Sequence, residues 1–137
     1  MGEVRTEVTL VNLRDAGKAA DGIIPESAVR RLMVNAVVDT GAWTLIINEA
    51  TREKLGLRVE ETSETTVAGG GTVSSQITET VMVRWKNRRA PCEAVVLPGE
   101  TDVLLGALPL EIMDLVVHPK TQEVVGAHGD TIRSVVK

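Results

Sequence analysis

Phenylalanine and tyrosine are absent from this sequence, and two tryptophans are its whole aromatic complement. Its core must therefore be aliphatic, built from Val, Leu, Ile, Met and Ala. A single cysteine, Cys92, excludes an intrachain disulfide. Its place in CEAVVLP predicts a buried structural thiol. No apolar run is long enough to cross a bilayer. The opening MGEVRTEVTL has no basic segment followed by a long apolar one, so no signal peptide is expected, and with one cysteine a cytoplasmic location is expected. Positive charge is not in excess: the formal net charge is −4, the wrong sign for a nucleic-acid surface. The basic runs at 30–31 and 86–89 read as solvated strand ends or turns.

Other chemistries lack their spelling. His118 and His128 stand ten residues apart with no HExxH and no cysteine partner, which argues against zinc. Ser74 and Ser75 lie in no G-x-S-x-G elbow. The glycines at 69–71 are not followed by Gly-Lys-Ser/Thr, so they make no phosphate loop. No metal and no cofactor is expected.

What remains is a sequence of 137 residues, 43% apolar and 25% charged, which suits one domain over 1–137. Alternation in EVRTEVTLV predicts a strand. NLRDAGKAADGIIPES, with Gly17, Gly22 and Pro25, reads as a loop in which Asp15 and Asp21 mark solvated turns. A second strand is expected from Arg31 to Val38, and a third in AWTLII. NEATREKLGL reads as a short helix with Asn48 as N-cap and Gly56 supplying the left-handed end. ETTVAGGGTVSSQITETVMVRW reads as a β-hairpin with three glycines at its tip, and PCEAVVLP as a further strand. DVLLG predicts a short buried strand. Pro109 then suits a first helical turn, with Leu108, Ile112 and Leu115 as an apolar stripe. DLVVHPKTQEVV reads as a hairpin turning at Pro119-Lys120, and 126–137 as a tail. Trp85 alternates with Val83 and Val81 and is expected to be structural. Trp43 is expected in the core or on a site wall. Glu60, Glu61 and Asp114 read as solvated charges.

Two stretches echo each other. Strand, VVDTGA, strand and helix in the first half are followed by strand, VLLGAL, helix and strand in the second.

The stretch VVDTGAWTLII poses the chemical question. A carboxylate between apolar runs is costly unless it is hydrogen-bonded or paired. Asp39 either caps a turn or belongs to a reacting site. The tripeptide D-[ST]-G alone is weak, arising by chance in roughly one chain in twenty of this length. Here it stands with apolar flanks, a glycine-tipped hairpin at 69–71 and LLG at 104–106 followed by a short helix. In that order and spacing, over about 29–125, the chain resembles the retropepsin-like, single-domain aspartic proteases, its small bacterial members more than the viral enzymes.

The resemblance implies a mainly β fold: a half-barrel with one or two short helices, closed by homodimerisation. It implies an aspartic endopeptidase acting on extended polypeptide. Two carboxyls about 3 Å apart cannot both ionise and so share a proton, one acting as base toward water and the other as acid toward the substrate carbonyl. Only one such triplet is present, so each chain would give its Asp39 across a two-fold axis. Thr40 would hydrogen-bond to the partner loop, and Gly41 would turn its N–H to a carboxylate oxygen. Ala42, Trp43 and the tip residues Ala68, Gly69, Gly70 and Gly71 would contact substrate. A non-catalytic peptide-binding or dimerisation module on the same fold is the alternative.

Overall fold

Strands dominate because alternation dominates. In the computed structural model, which describes residues 3–66, 69–99 and 101–130, the clearest case is Arg88–Leu97. Here Ala90, Cys92, Ala94 and Val96 are buried while the residues between them are more open. In chain order the elements are β1 (Arg5–Asn12), α1 (Leu13–Ala20), a 3-10 turn (Glu26–Ala28), β2 (Arg31–Val38), β3 (Leu45–Asn48), α2 (Glu49–Leu55), β4 (Val59–Thr66), β5 (Thr72–Trp85), β6 (Arg88–Leu97), β7 (Leu104–Leu105), α3 (Ala107–Ile112), β8 (Leu115–Val117) and β9 (Val124–Asp130).

Seven strands form one sheet in the order β1-β2-β7-β3-β6-β5-β4, with β1 also pairing β5. β8 and β9 make a separate two-stranded sheet. Where a half-barrel was expected, the described residues form a mixed, mainly β sheet that turns back on itself through the β1–β5 pairing and leaves β4 as its edge, and the helices number three rather than one or two among the described residues. The core is aliphatic as composition requires, with Leu10, Leu45, Ile47, Leu55, Leu57 and Leu105 all but sealed from solvent. Trp85 joins it, and its indole N–H donates to Thr6 Oγ1 at 2.8 Å. Cys92 is buried and free, and burial pushes its thiol up to about 11.

Segment 12–27 departs from expectation: it holds α1, not a loop. Asn12 caps this helix, accepting the Asp15 N–H at 2.9 Å, and its amide donates to Leu55 O at 2.8 Å, which ties α1 to the end of α2. Asp15 is no solvated turn residue. It is buried and accepts from Arg30 Nε at 2.8 Å, Arg30 Nη2 at 3.0 Å and the Arg30 backbone N–H at 3.0 Å. The Arg30 guanidinium comes from the start of the β2 region and lies over Gly56, where a Cβ would meet Nη1 at 1.8 Å. α2 matches its expected caps: Asn48 accepts the Thr51 N–H at 2.8 Å, and Gly56 is left-handed with φ 64.

A second buried cation fixes the far end of the chain. Arg88 donates through Nη1 to the carbonyls of Met113 at 2.9 Å and Asp114 at 2.7 Å, and through Nη2 to that of Gly129. Neither Arg88 nor Asp114 is the solvated charge expected, since their side chains are 1% and 14% exposed. Asp114 also meets His128 Nδ1 at 2.8 Å. This clamp holds the β8–β9 hairpin, which forms where expected and carries β9 through Asp130. The rest of the expected tail, 131–137, lies outside the described residues.

The Asp15 pair makes a prediction about acid stability. The Arg30 side chain holds the Asp15 carboxyl at about 2, below its ordinary 3.8. A depressed carboxyl stabilises the fold above its unfolded value and loses that contribution as pH falls through the folded one. Asp15→Asn should cost about 1–2 kcal/mol at neutral pH, the half-exposed Arg30 reducing the larger figure that the shift alone would give. Near pH 2 the cost should shrink. Urea unfolding of both proteins at pH 6.5 and pH 2 checks this, and an equal loss at both would refute it.

Candidate active site

β2 packs Val38 against the core, buries Val37 on its other face and leads directly into Asp39. Three backbone bonds anchor that end. Val38 N–H donates to Val4 O at 2.8 Å, Val37 N–H to Val103 O at 2.9 Å and Asp39 N–H to Leu105 O at 3.0 Å. The chain then turns, with Ala42 N–H returning to Asp39 O at 3.1 Å. β3 starts only at Leu45, so 42–44 of the strand expected in AWTLII belong to this turn. Thr44 closes it, buried and donating from Oγ1 to Glu93 O at 2.8 Å.

The turn interlocks with the start of α3. Ala107 N–H donates to Ala42 O at 2.8 Å and Leu108 N–H to Trp43 O at 2.9 Å. Two first-turn donors of α3, which has no side-chain cap, are thereby satisfied by the loop that carries Asp39. Gly106 permits the approach: a Cβ there would lie 2.2 Å from Thr44 O and 2.6 Å from Ala42 O. Sequence reading placed Gly106 at the end of a strand but could not see that two carbonyls lie against it. Its only mark is its position in VLLGAL, the echo of VVDTGA.

Within this frame the Asp39 side chain is half-buried, and its Oδ1 accepts the Gly41 N–H at 2.9 Å. That is the bond expected of Gly41. A Cβ on Gly41 would stand 3.1 Å from the same oxygen. Thr40 and Gly41 are exposed and Ala42 is half-buried. Trp43 is 58% exposed, so it is a surface aromatic four residues after Asp39 and not a core residue. Asp39 to Trp43 are therefore brought together in one loop. The glycines stand apart from it at the end of the β4–β5 hairpin, Gly69 with φ 95 and Gly70 with φ 86, values that L side chains adopt only with strain. Among the described residues no hydrogen bond joins that tip to the Asp39 loop. Ala68 lies outside the described residues.

Residues 26–111 match the family described as "gag-polyprotein putative aspartyl protease". The chain belongs to that family. The match takes in β2, the Asp39 loop, the glycine-tipped hairpin, β7 and nearly all of α3. Among solved structures, the retroviral protease-like domain of Ddi1 from Leishmania major is similar in fold, with a TM-score of 0.51 at 21% identity over 76% of this chain and 82% of that one. EIAV protease in complex with the inhibitor HBY-793 aligns at TM-score 0.48 and 19% identity, over 77% of this chain and 82% of that one. No curated protein matches. Among the described residues no cluster of His, Cys, Asp and Glu has the makings of a metal site, and no helix is long and apolar enough to cross a membrane.

The two glycines of the site should respond differently to a methyl group. Gly106→Ala drives carbon into two backbone carbonyls that cannot step aside, and should cost about 3 kcal/mol or prevent folding. Gly41→Ala meets only a carboxylate that can rotate, and should fold within about 1 kcal/mol of the parent while shifting the Asp39 side chain. Denaturant titration of both variants tests the contrast, and similar losses would contradict it.

Proposed function

We propose that two copies of this chain pair about a two-fold axis to form an aspartic endopeptidase, each giving Asp39 to one shared carboxyl pair. The observation that carries this reading is the Asp39 loop: a half-buried carboxylate, oriented by the Gly41 N–H and held by Leu105 and the α3 start, within a chain of the aspartyl protease family. The loop presents one carboxylate, and the chemistry needs two.

In the pair, one carboxylate takes a proton from a water as its oxygen attacks the peptide carbonyl carbon, and the other carboxyl gives its proton to the carbonyl oxygen. The tetrahedral intermediate collapses as one carboxyl gives its proton to the leaving nitrogen, the C–N bond breaks and a hydroxyl of the intermediate returns a proton to the other carboxylate. The carboxyl pair ends with the one proton it began with. Its titration belongs to the pair and not to either copy. Thr40, exposed next to Asp39, bonds to the partner loop. Ala42 and Trp43 border an extended substrate, and Gly69, Gly70 and Gly71 close over it by backbone contact. On sequence alone we place the chain nearer the small bacterial members of its family.

Asp39→Asn tests the chemistry with little effect on the fold, since an amide oxygen can accept the Gly41 N–H as the carboxylate does. Cleavage of a mixed peptide library between acid and neutral pH should fall at least about a hundredfold, the scale of a lost acid–base group. A folded wild type that binds peptides tightly but cuts none, with binding kept in Asp39→Asn, would instead select a peptide-binding module. The exposed, unbranched glycine tip is the feature that favours that second reading.

A further inference from the structure

The basic run at 86–89, expected to be a solvated turn, splits in the fold. Arg88 turns inward to its carbonyl clamp, and the Lys86 ammonium sits 4.6 Å from the centre of the Trp85 ring. Arg89 stays exposed, and so does Arg84, its direct partner in the β5–β6 ladder. Residues paired across strands share one face of a sheet, so two guanidinium side chains stand opposite each other on the same surface. Like charges placed this way work against the fold. Among the described residues neither arginine has an ion pair or a side-chain hydrogen bond to offset the repulsion.

The strand registers extend this surface into a strip. Arg84 lies opposite Thr9 of β1, and Thr9 opposite Met33 of β2, so the row Arg89, Arg84, Thr9, Met33 crosses four strands. The next row is Pro91, Met82, Val11 and Arg31. The core lies on the other face, where Leu10, Val83 and Ala90 are buried. Neither row holds a carboxylate, and Arg31 is already answered by Glu26 at 2.7 Å. Acids return one step further along the strands, at Glu7 on β1 and Glu93 on β6, both exposed. The strip is thus roughly 14 Å across its four strands, with a carboxylate on either side.

We propose that this strip is a docking surface for a short acidic stretch of polypeptide, whose carboxylates bridge Arg84 and Arg89. A carboxylate between the two guanidinium groups turns their opposition into attraction, and arginine presents the forked donors that carboxylates fit. Glu7 and Glu93 set the length: a few acids fit between them, while a long polyanion would run onto one or the other. The rows hold no aromatic on which a base could stack, and the net charge of −4 opposes nucleic acid. One exposed methionine among arginines is too little apolar surface for a bilayer. The strip is separate from the Asp39 loop, which β2 reaches six residues past Met33, about 20 Å along the strand. The inference therefore does not rest on the carboxyl pair.

Fluorescence anisotropy with a labelled ten-residue peptide alternating Glu and Gly tests this at low salt. The wild type should bind it at least about tenfold more tightly than the matching Gln-Gly peptide, and added salt should weaken the complex. Arg84→Gln/Arg89→Gln should lose at least about tenfold in affinity while melting no lower than the wild type, because opposed charges are gone. Lys18→Gln/Lys54→Gln makes the same change in net charge at exposed positions elsewhere and should bind within about twofold of the wild type. Equal losses in the two double variants, or a wild type that does not prefer the acidic peptide, overturn the docking surface. A lower melting temperature in the arginine variant shows the pair serving the fold and overturns its assignment to a partner. Tighter binding of a ten-nucleotide oligothymidylate or of phosphatidylserine vesicles than of the peptide overturns the acidic polypeptide as the occupant.

Discussion

The arrangement depends on the backbone interlock between the loop after β2 and the first turn of α3. Asp39 N–H to Leu105 O, Ala107 N–H to Ala42 O and Leu108 N–H to Trp43 O are three bonds between two short segments far apart in sequence. Each satisfies a group that would otherwise be orphaned at a strand end or a helix start. The bonds form only because Gly106 has no side chain, its missing Cβ leaving room for the carbonyls of Ala42 and Thr44. From that contact follow the position of the carboxylate and the course of α3.

The interlock also makes the carboxylate usable. Fixing Asp39 at both ends leaves its side chain one local donor, the Gly41 N–H. A hydrogen bond to the ionised form orients the group without surrounding it. Asp15 shows the opposite design. It receives three bonds from Arg30 and is held well into the charged range, so it serves as an anchor for α1. Reactivity toward water or substrate needs a carboxylate with an open side, and of these two Asp39 has one.

Local signals were legible in the sequence, and contacts made at a distance were not. α2 could be read because its caps lie within it: Asn48 bonds Thr51, and Gly56 takes the left-handed turn. The DTG loop could be read because its key bond joins residues two apart. α1 was hidden because Gly17 and Gly22 signal a loop, while the bonds that secure the helix come from Arg30 and Leu55. Arg88 and Asp114 looked solvated for the same reason, since the groups that bury them sit more than twenty residues apart along the chain. Trp43 follows an apolar pattern inward, but the turn that holds Ala42 and Thr44 leaves it outside.

The internal echo in the sequence has a counterpart in the sheet. VVDTGA and VLLGAL place their strands side by side and parallel, Val37 with Leu104 and Val38 with Leu105. The two copies of the pattern thus end at the same edge, where one carries an acid and the other a glycine. That glycine cannot become a second acid while the interlock stands, because the space a side chain would need is filled by the backbone of the first loop. A chain that uses its second copy to clamp the first has no room for two carboxyls of its own. The second acid of the carboxyl pair we propose would therefore have to come from another copy of the chain.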